Sequence, residues 1–150
     1  MDPLLIGGAI LLLILATNKG NSSLRWPLDI GIRITSLYGE KRGDRVHSGL
    51  DIAAPVGTPV FAMADGVISK YWTDNVYGGG LSMQLIHEGN ITVGFAHLSV
   101  NNLLPSGTRV KKGQLVAYTG NTGASTGPHL HITIYKMNER IDPLLILPKI

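Results

Sequence analysis

Apolar residues fall into two arrangements along this chain. Near the start stands one unbroken run, residues 4–16 (LLIGGAILLLILA), with no charge in it. After Trp26 the pattern changes to short stretches of alternating apolar and polar positions, each closed by glycine. Alternation with a period of two is the mark of a strand with one buried face. It predicts strands over 32–35, 60–62, 66–71, 81–87, 92–98, 115–119 and 130–135. Turn residues separate them: Asp65-Gly66, Gly78-Gly79-Gly80, Glu88-Gly89-Asn90, Pro105-Ser106-Gly107 and Lys112-Gly113. No amphipathic helix is legible after residue 20. An all-β, mainly antiparallel sandwich or small barrel is expected.

The apolar run makes a helix of roughly 20 Å at about 1.5 Å per residue. That is short of the roughly 30 Å hydrocarbon core of a bilayer. Only Met1-Asp2-Pro3 precedes it, so the basic stretch of a secretory signal is missing. No small-x-small cleavage site follows in Ala16-Thr17-Asn18-Lys19-Gly20. The expectation is a short anchor helix within residues 1–19, embedded in a membrane or a larger assembly. A linker over 20–25, containing Gly20-Asn21-Ser22-Ser23, and a single domain over 26–150 follow it.

Composition narrows the chemistry. The 150 residues contain no cysteine, which excludes disulfides, cysteine-ligated zinc and thiol catalysis. Any metal site must be built from histidine and carboxylate. A net charge of +3 suits an anionic surface such as a membrane or a cell wall. No stripe of Lys and Arg interleaved with aromatics is present, so nucleic acid is not the expected partner.

The five histidines carry the candidate chemistry. On a strand, His129 and His131 point the same way while Leu130 points into the core. A second cluster is His47-Ser48-Gly49-Leu50-Asp51. A straight strand would hold His47 and Asp51 roughly 13 Å apart. Two ligands of one zinc need donor atoms about 3.3 Å apart, given bonds near 2.0–2.2 Å in a tetrahedron. The chain must bend between them, and Gly49 permits the bend. His97 closes an apolar strand, and His87 precedes a hairpin turn as a structural or surface residue. Neutral histidine and carboxylate are what a cysteine-free zinc site requires. Spacing leaves the roles open. His47, His129 and His131 form one possible ligand set. Alternatively, one histidine of the close pair ligates and the other moves protons.

The order of these stretches is specific. Ile34-Thr35-Ser36-Leu37-Tyr38-Gly39, His47 to Pro55, Gly57-Thr58-Pro59-Val60, Ala64-Asp65-Gly66-Val67, Phe95-Ala96-His97-Leu98-Ser99, Gly120-Asn121-Thr122-Gly123 and Ser125 to His131 follow one another. From about Trp26 to Pro143 the chain resembles a LytM/lysostaphin-type zinc endopeptidase domain of the M23 peptidase family. The resemblance implies a LytM-like β fold, a zinc ion held by His47, Asp51 and His131, and two non-ligand histidines, His97 and His129, in catalysis. It also implies peptide bonds of bacterial peptidoglycan as substrate. Ile132 and Thr133 stand where the family often has an aromatic and an acidic residue, and Phe95 where it has tyrosine.

Two other classes are weighed. A non-catalytic relative that binds wall peptide or regulates a hydrolase usually lacks ligands, whereas every one is kept here. A lipoyl-type carrier needs a lysine beside methionine at a hairpin tip, and Lys111-Lys112-Gly113 lacks that setting. The expected locations are the cell envelope, through residues 4–16, or a phage virion.

Overall fold

The computed structural model describes residues 24–74, 78–99 and 104–150. The expected helix over 4–16 and most of the linker lie outside them. Among the described residues twelve strands occur in the order β1 (Ile34–Ser36), β2 (Lys41–Arg42), β3 (Arg45–Val46), β4 (Leu50–Ala53), β5 (Pro59–Phe61), β6 (Gly66–Asp74), β7 (Gly80–His87), β8 (Ile91–Ala96), β9 (Arg109–Val110), β10 (Leu115–Tyr118), β11 (His129–Lys136) and β12 (Glu139–Ile141). A 3-10 turn at Pro143–Leu145 follows, with the Asp142 carboxylate accepting from the Leu144 N–H. No helix among the described residues is long and apolar enough to cross a membrane.

The fold is antiparallel throughout its pairings. One large sheet runs β1-β4-β11-β8-β7-β6-β9, with β12 also on β11. Strands β5 and β10 form a small second sheet, and β2 and β3 form a hairpin. A bridge between Leu98 and Thr119 ties the end of β8 to the small sheet.

Period-two alternation sorts the central strands onto two faces. Along β11, Leu130, Ile132 and Ile134 are buried while His129, His131 and Thr133 are less so. Leu130 stands opposite Ile52, and Ile132 stands between Leu50 and Phe95. Phe95 in turn faces Met83. These side chains are fully buried and make the core of the sheet. Each contributes roughly 1.5–3 kcal/mol through its removal from water. The same register places Asp51 beside His131 on the opposite face. The core thus fixes which residues meet on the other side, because a slip of one residue would send the histidines into the core.

Turn chemistry explains the repeated Gly-Thr motif. Gly57 and Gly107 both have positive φ, at 85° and 88°. Each follows a Pro-X pair, and the Thr N–H closes the turn on the proline carbonyl in both, Thr58 on Pro55 and Thr108 on Pro105. Glycine at that third position is the signature of a type II turn.

Candidate metal centre

Strand β11 sits between β4 and β8 at the middle of the large sheet. His131 pairs with Asp51 on one side and with Ala96 on the other. His47 comes from the segment that joins the β2–β3 hairpin to β4, and its N–H and carbonyl are both held by the hairpin base, at Glu40 and Gly39. His97 follows directly on β8. Its φ of 60° turns the chain out of the strand there, so β8 ends at Ala96 rather than running to Leu98. A non-glycine residue in that region is uncommon and marks a position held by its surroundings.

Three donor atoms converge. His131 Nδ1 lies 2.7 Å from Asp51 Oδ1, and His47 Nε2 lies 3.1 Å from both Asp51 Oδ1 and His131 Nδ1. One divalent ion with bonds near 2.0–2.2 Å requires a donor spacing of about 3.3 Å. Among the described residues these three form a group able to hold a metal ion. His47 and Asp51 are buried, and His131 is largely so.

Backbone carbonyls set the tautomers. His47 Nδ1 donates to the Leu37 carbonyl at 2.8 Å, His97 Nδ1 to Thr122 at 2.7 Å, and His129 Nδ1 to Gly127 at 2.8 Å. A carbonyl only accepts, so Nδ1 carries the proton in each and Nε2 keeps its lone pair. For His47 that lone pair meets the Asp51 carboxylate, a pure acceptor. Two acceptors at 3.1 Å repel unless a cation lies between them. The residues therefore fit a bound metal, and orienting carbonyls behind ligating histidines are the usual support of one.

Charge follows the same logic. Burial pushes the Asp51 carboxyl up, but the adjoining His131 and His47 rings outweigh it and hold the group well below the usual carboxylate range. Burial pushes His97 down, with the nearby His129 and His131 adding to the effect and the Thr122 carbonyl opposing it. His97 and His129 are ring neighbours, their centroids 4.5 Å apart, and His129 Nε2 lies 3.7 Å from Asp51 Oδ1. Both stand beside the three-donor group without joining it. Four histidines and Asp51 are thus brought together, and the alternative set of His47, His129 and His131 is not the one whose donors converge. His87 is elsewhere: fully buried, it donates from Nδ1 to the Asp65 carbonyl, a structural position as expected.

Gly49 serves a purpose other than a bend alone. Its φ is not positive. A Cβ there would stand 2.2 Å from the Ile132 carbonyl oxygen and 2.9 Å from the His131 ring. Glycine makes room for the histidine. Among the remaining contacts, Arg42 Nη2 reaches Asp51 Oδ2 at 3.1 Å and Ser36 Oγ at 2.8 Å. The sequence carries no signal for this: Arg42 lies among Lys41 and Arg45 on a hairpin and reads as a solvated charge.

The family model described as peptidase family M23 matches residues 45–143. The chain belongs to peptidase family M23. Among similar proteins, this M23 chain is 36% identical over 119 residues to the DD-carboxypeptidase/endopeptidase Mpg of Neisseria meningitidis, covering 76% of this chain and 27% of that protein. It is 39% identical over 107 residues to the glycyl-glycine endopeptidase ALE-1 of Staphylococcus capitis, covering 67% and 29%. The chain therefore spans less than a third of either relative. A zinc-containing peptidase from Vibrio cholerae shares the fold with a TM-score of 0.72 at 30% identity, covering 80% of this chain and 39% of the other.

Proposed function

We propose that this M23 domain is a zinc-dependent endopeptidase that hydrolyses peptide bonds of bacterial peptidoglycan. The observation that carries the reading is the inward-facing set of acceptors, with three donor atoms 2.7–3.1 Å apart. Two named relatives that act on peptide bonds, one a DD-carboxypeptidase/endopeptidase and one a glycyl-glycine endopeptidase, support the substrate class.

His47, Asp51 and His131 would hold the ion. A bound zinc supplies Lewis acidity, polarising a carbonyl and bringing water's pKa near 7. The rest is the work of the chain. His129 Nε2 and His97 Nε2, each opposite a carbonyl-bonded Nδ1–H, stand beside the ligands, placed to accept a proton from water and return it to the leaving amine. Once protonated, they carry positive charge next to the oxyanion of a tetrahedral intermediate. The αL turn at His97 and the Thr122 carbonyl keep that ring in place. The net charge of +3 favours approach to an anionic wall. Residues 4–16 would seat the domain at the cell envelope or in a phage virion, which fractionation of membranes and particles distinguishes.

The experiment is turnover of purified sacculi. Wild-type protein should release soluble peptide fragments, and a chelator should stop it. His131→Ala should lose both zinc and activity, whereas His129→Ala should keep zinc and lose activity. Zinc-loaded wild type that leaves sacculi intact would contradict the reading, and a His129→Ala protein without zinc would contradict the division of roles.

A further inference from the structure

Arg42 sits at the mouth of the site with only part of its hydrogen-bonding capacity used. Its Nη2 donates to Asp51 Oδ2 and to Ser36 Oγ. Ser36 in turn donates to the Glu40 carboxylate, which fixes the hydroxyl as the acceptor from Arg42. The N–H groups of Nη1 and Nε reach no acceptor among the described residues. The Arg42 side chain is 51% exposed and that of Asp51 8%. One nitrogen of the guanidinium is thus pinned to the Asp51 carboxylate, on a side chain that is half exposed.

Charge counting shows what this position favours. A divalent ion on one carboxylate and two neutral imidazoles keeps a positive charge, and Arg42 adds another beside it. Glu40 offsets part of this from the far side of Ser36, while Lys41 and Arg45 on the same hairpin are cationic. Such a centre favours a substrate that brings its own anion. A half-exposed guanidinium with N–H groups to spare can give a charge-assisted hydrogen bond to a carboxylate.

Distance selects which carboxylate. Arg42 stands one carboxylate's width from the convergent donors. In a peptide, a carboxylate on the carbon bonded to the scissile nitrogen lies about 3–4 Å from the scissile carbonyl carbon by standard bond lengths. No other carboxylate of a stem peptide lies so close to the reacting bond. We propose that Arg42 binds a free carboxylate on the carbon attached to the scissile nitrogen. This rests on the peptidase reading above. The substrate class it names is a C-terminal dipeptide bond, or a cross-link to a diamino acid whose carboxylate shares the carbon of the acylated amine. A bond within a glycine bridge offers no such group.

The test uses pairs of synthetic stem peptides, identical except for a free carboxylate or a carboxamide at that carbon. Zinc-loaded wild type should cleave the acid with a kcat/KM about 10- to 100-fold above the amide, the range of a hydrogen-bonded charge. Arg42→Ala should lose that preference, mainly through a raised KM for the acid, and keep its zinc. Arg42→Lys should retain part of it. A ketomethylene pair, which cannot be hydrolysed, should show the same discrimination by calorimetric binding. Equal cleavage and binding of acid and amide by wild type, or an unchanged preference in Arg42→Ala, overturns the proposal. Loss of zinc from Arg42→Ala also overturns it, by making Arg42 a support for Asp51. Zinc-loaded wild type that binds the acid pair but cleaves neither peptide would fault the peptidase reading and leave carboxylate recognition standing.

Discussion

Asp51 and His131 are direct cross-strand neighbours, and their facing atoms, Oδ1 and Nδ1, lie 2.7 Å apart. Two candidate ligands that share a register position in the middle of a sheet are held by the sheet itself. The buried partners of that register, Leu50 and Ile52 against Ile132 and Leu130, fix the pairing from the other face. Only His47 reaches the centre from a connection between strands. Its placement depends on the close passage at Gly49.

Gly49→Ala should therefore break the centre without touching a ligand. The new methyl would collide with the Ile132 carbonyl, which is ladder backbone, and with the His131 ring. Crowding of this kind costs about 1–3 kcal/mol. Denaturant unfolding should show that loss, and metal analysis should show weakened zinc retention. A variant as stable and as metal-rich as wild type would contradict the packing argument.

The loop that carries Thr122 should matter for catalysis and not for the metal. Gly80 and Gly123 pack backbone against backbone, and a Cβ at Gly80 would stand 2.4 Å from the Thr122 carbonyl carbon. Gly80→Ala should push that carbonyl away from His97, lowering kcat by about 10- to 100-fold, within the range of general acid–base effects. Zinc content should be unchanged.

The pH profile should report His97. Burial, first, and the neighbouring histidines lower its pKa below the ordinary value of about 6.5. At neutral pH it is an available base. As pH falls through its depressed pKa it becomes protonated and can no longer accept a proton, so kcat/KM should fall on the acid side of 6.5. A profile whose acid limb lies above 7 would contradict this assignment.

Buried His87 should make stability pH-dependent. Burial lowers its pKa, opposed by the Asp65 carbonyl, and its Nε2 has no partner among the described residues. The folded form thus binds fewer protons than the unfolded chain just below pH 6.5. Its contribution is intact above that pH and is lost as pH falls through the depressed value. Comparing wild type with His87→Asn, which keeps a donor for the Asp65 carbonyl, isolates the effect. The difference in unfolding free energy between the two should shrink as pH drops from 7.5 to 5. A constant difference would show that His87 binds its proton equally well folded and unfolded, against the lowering by burial.

How much of this was legible in the sequence depends on strand length. The long strands β6, β7, β8 and β11 show their alternation plainly and are placed within a few residues. Strand β4 is not legible as a strand, because Leu50–Ala53 is too short for a period and has a buried Asp in it. That Asp breaks the apolar pattern because it faces His47 and His131 in the candidate metal centre. The β2–β3 hairpin is polar and exposed, so nothing in it signals pairing, yet it carries Arg42. His-x-His and His-x-x-x-Asp were visible as chemistry, but the choice of His131 over His129 needs the register with Asp51, a contact 80 residues apart in the chain.

The most direct test of the metal centre is zinc stoichiometry in the purified protein, with Asp51→Ala beside it. Mass spectrometric metal analysis after zinc supply and dialysis should give one zinc per wild-type chain and none in the variant. Wild-type protein that stays metal-free, or an Asp51→Ala protein that holds zinc as firmly as wild type, would contradict the account.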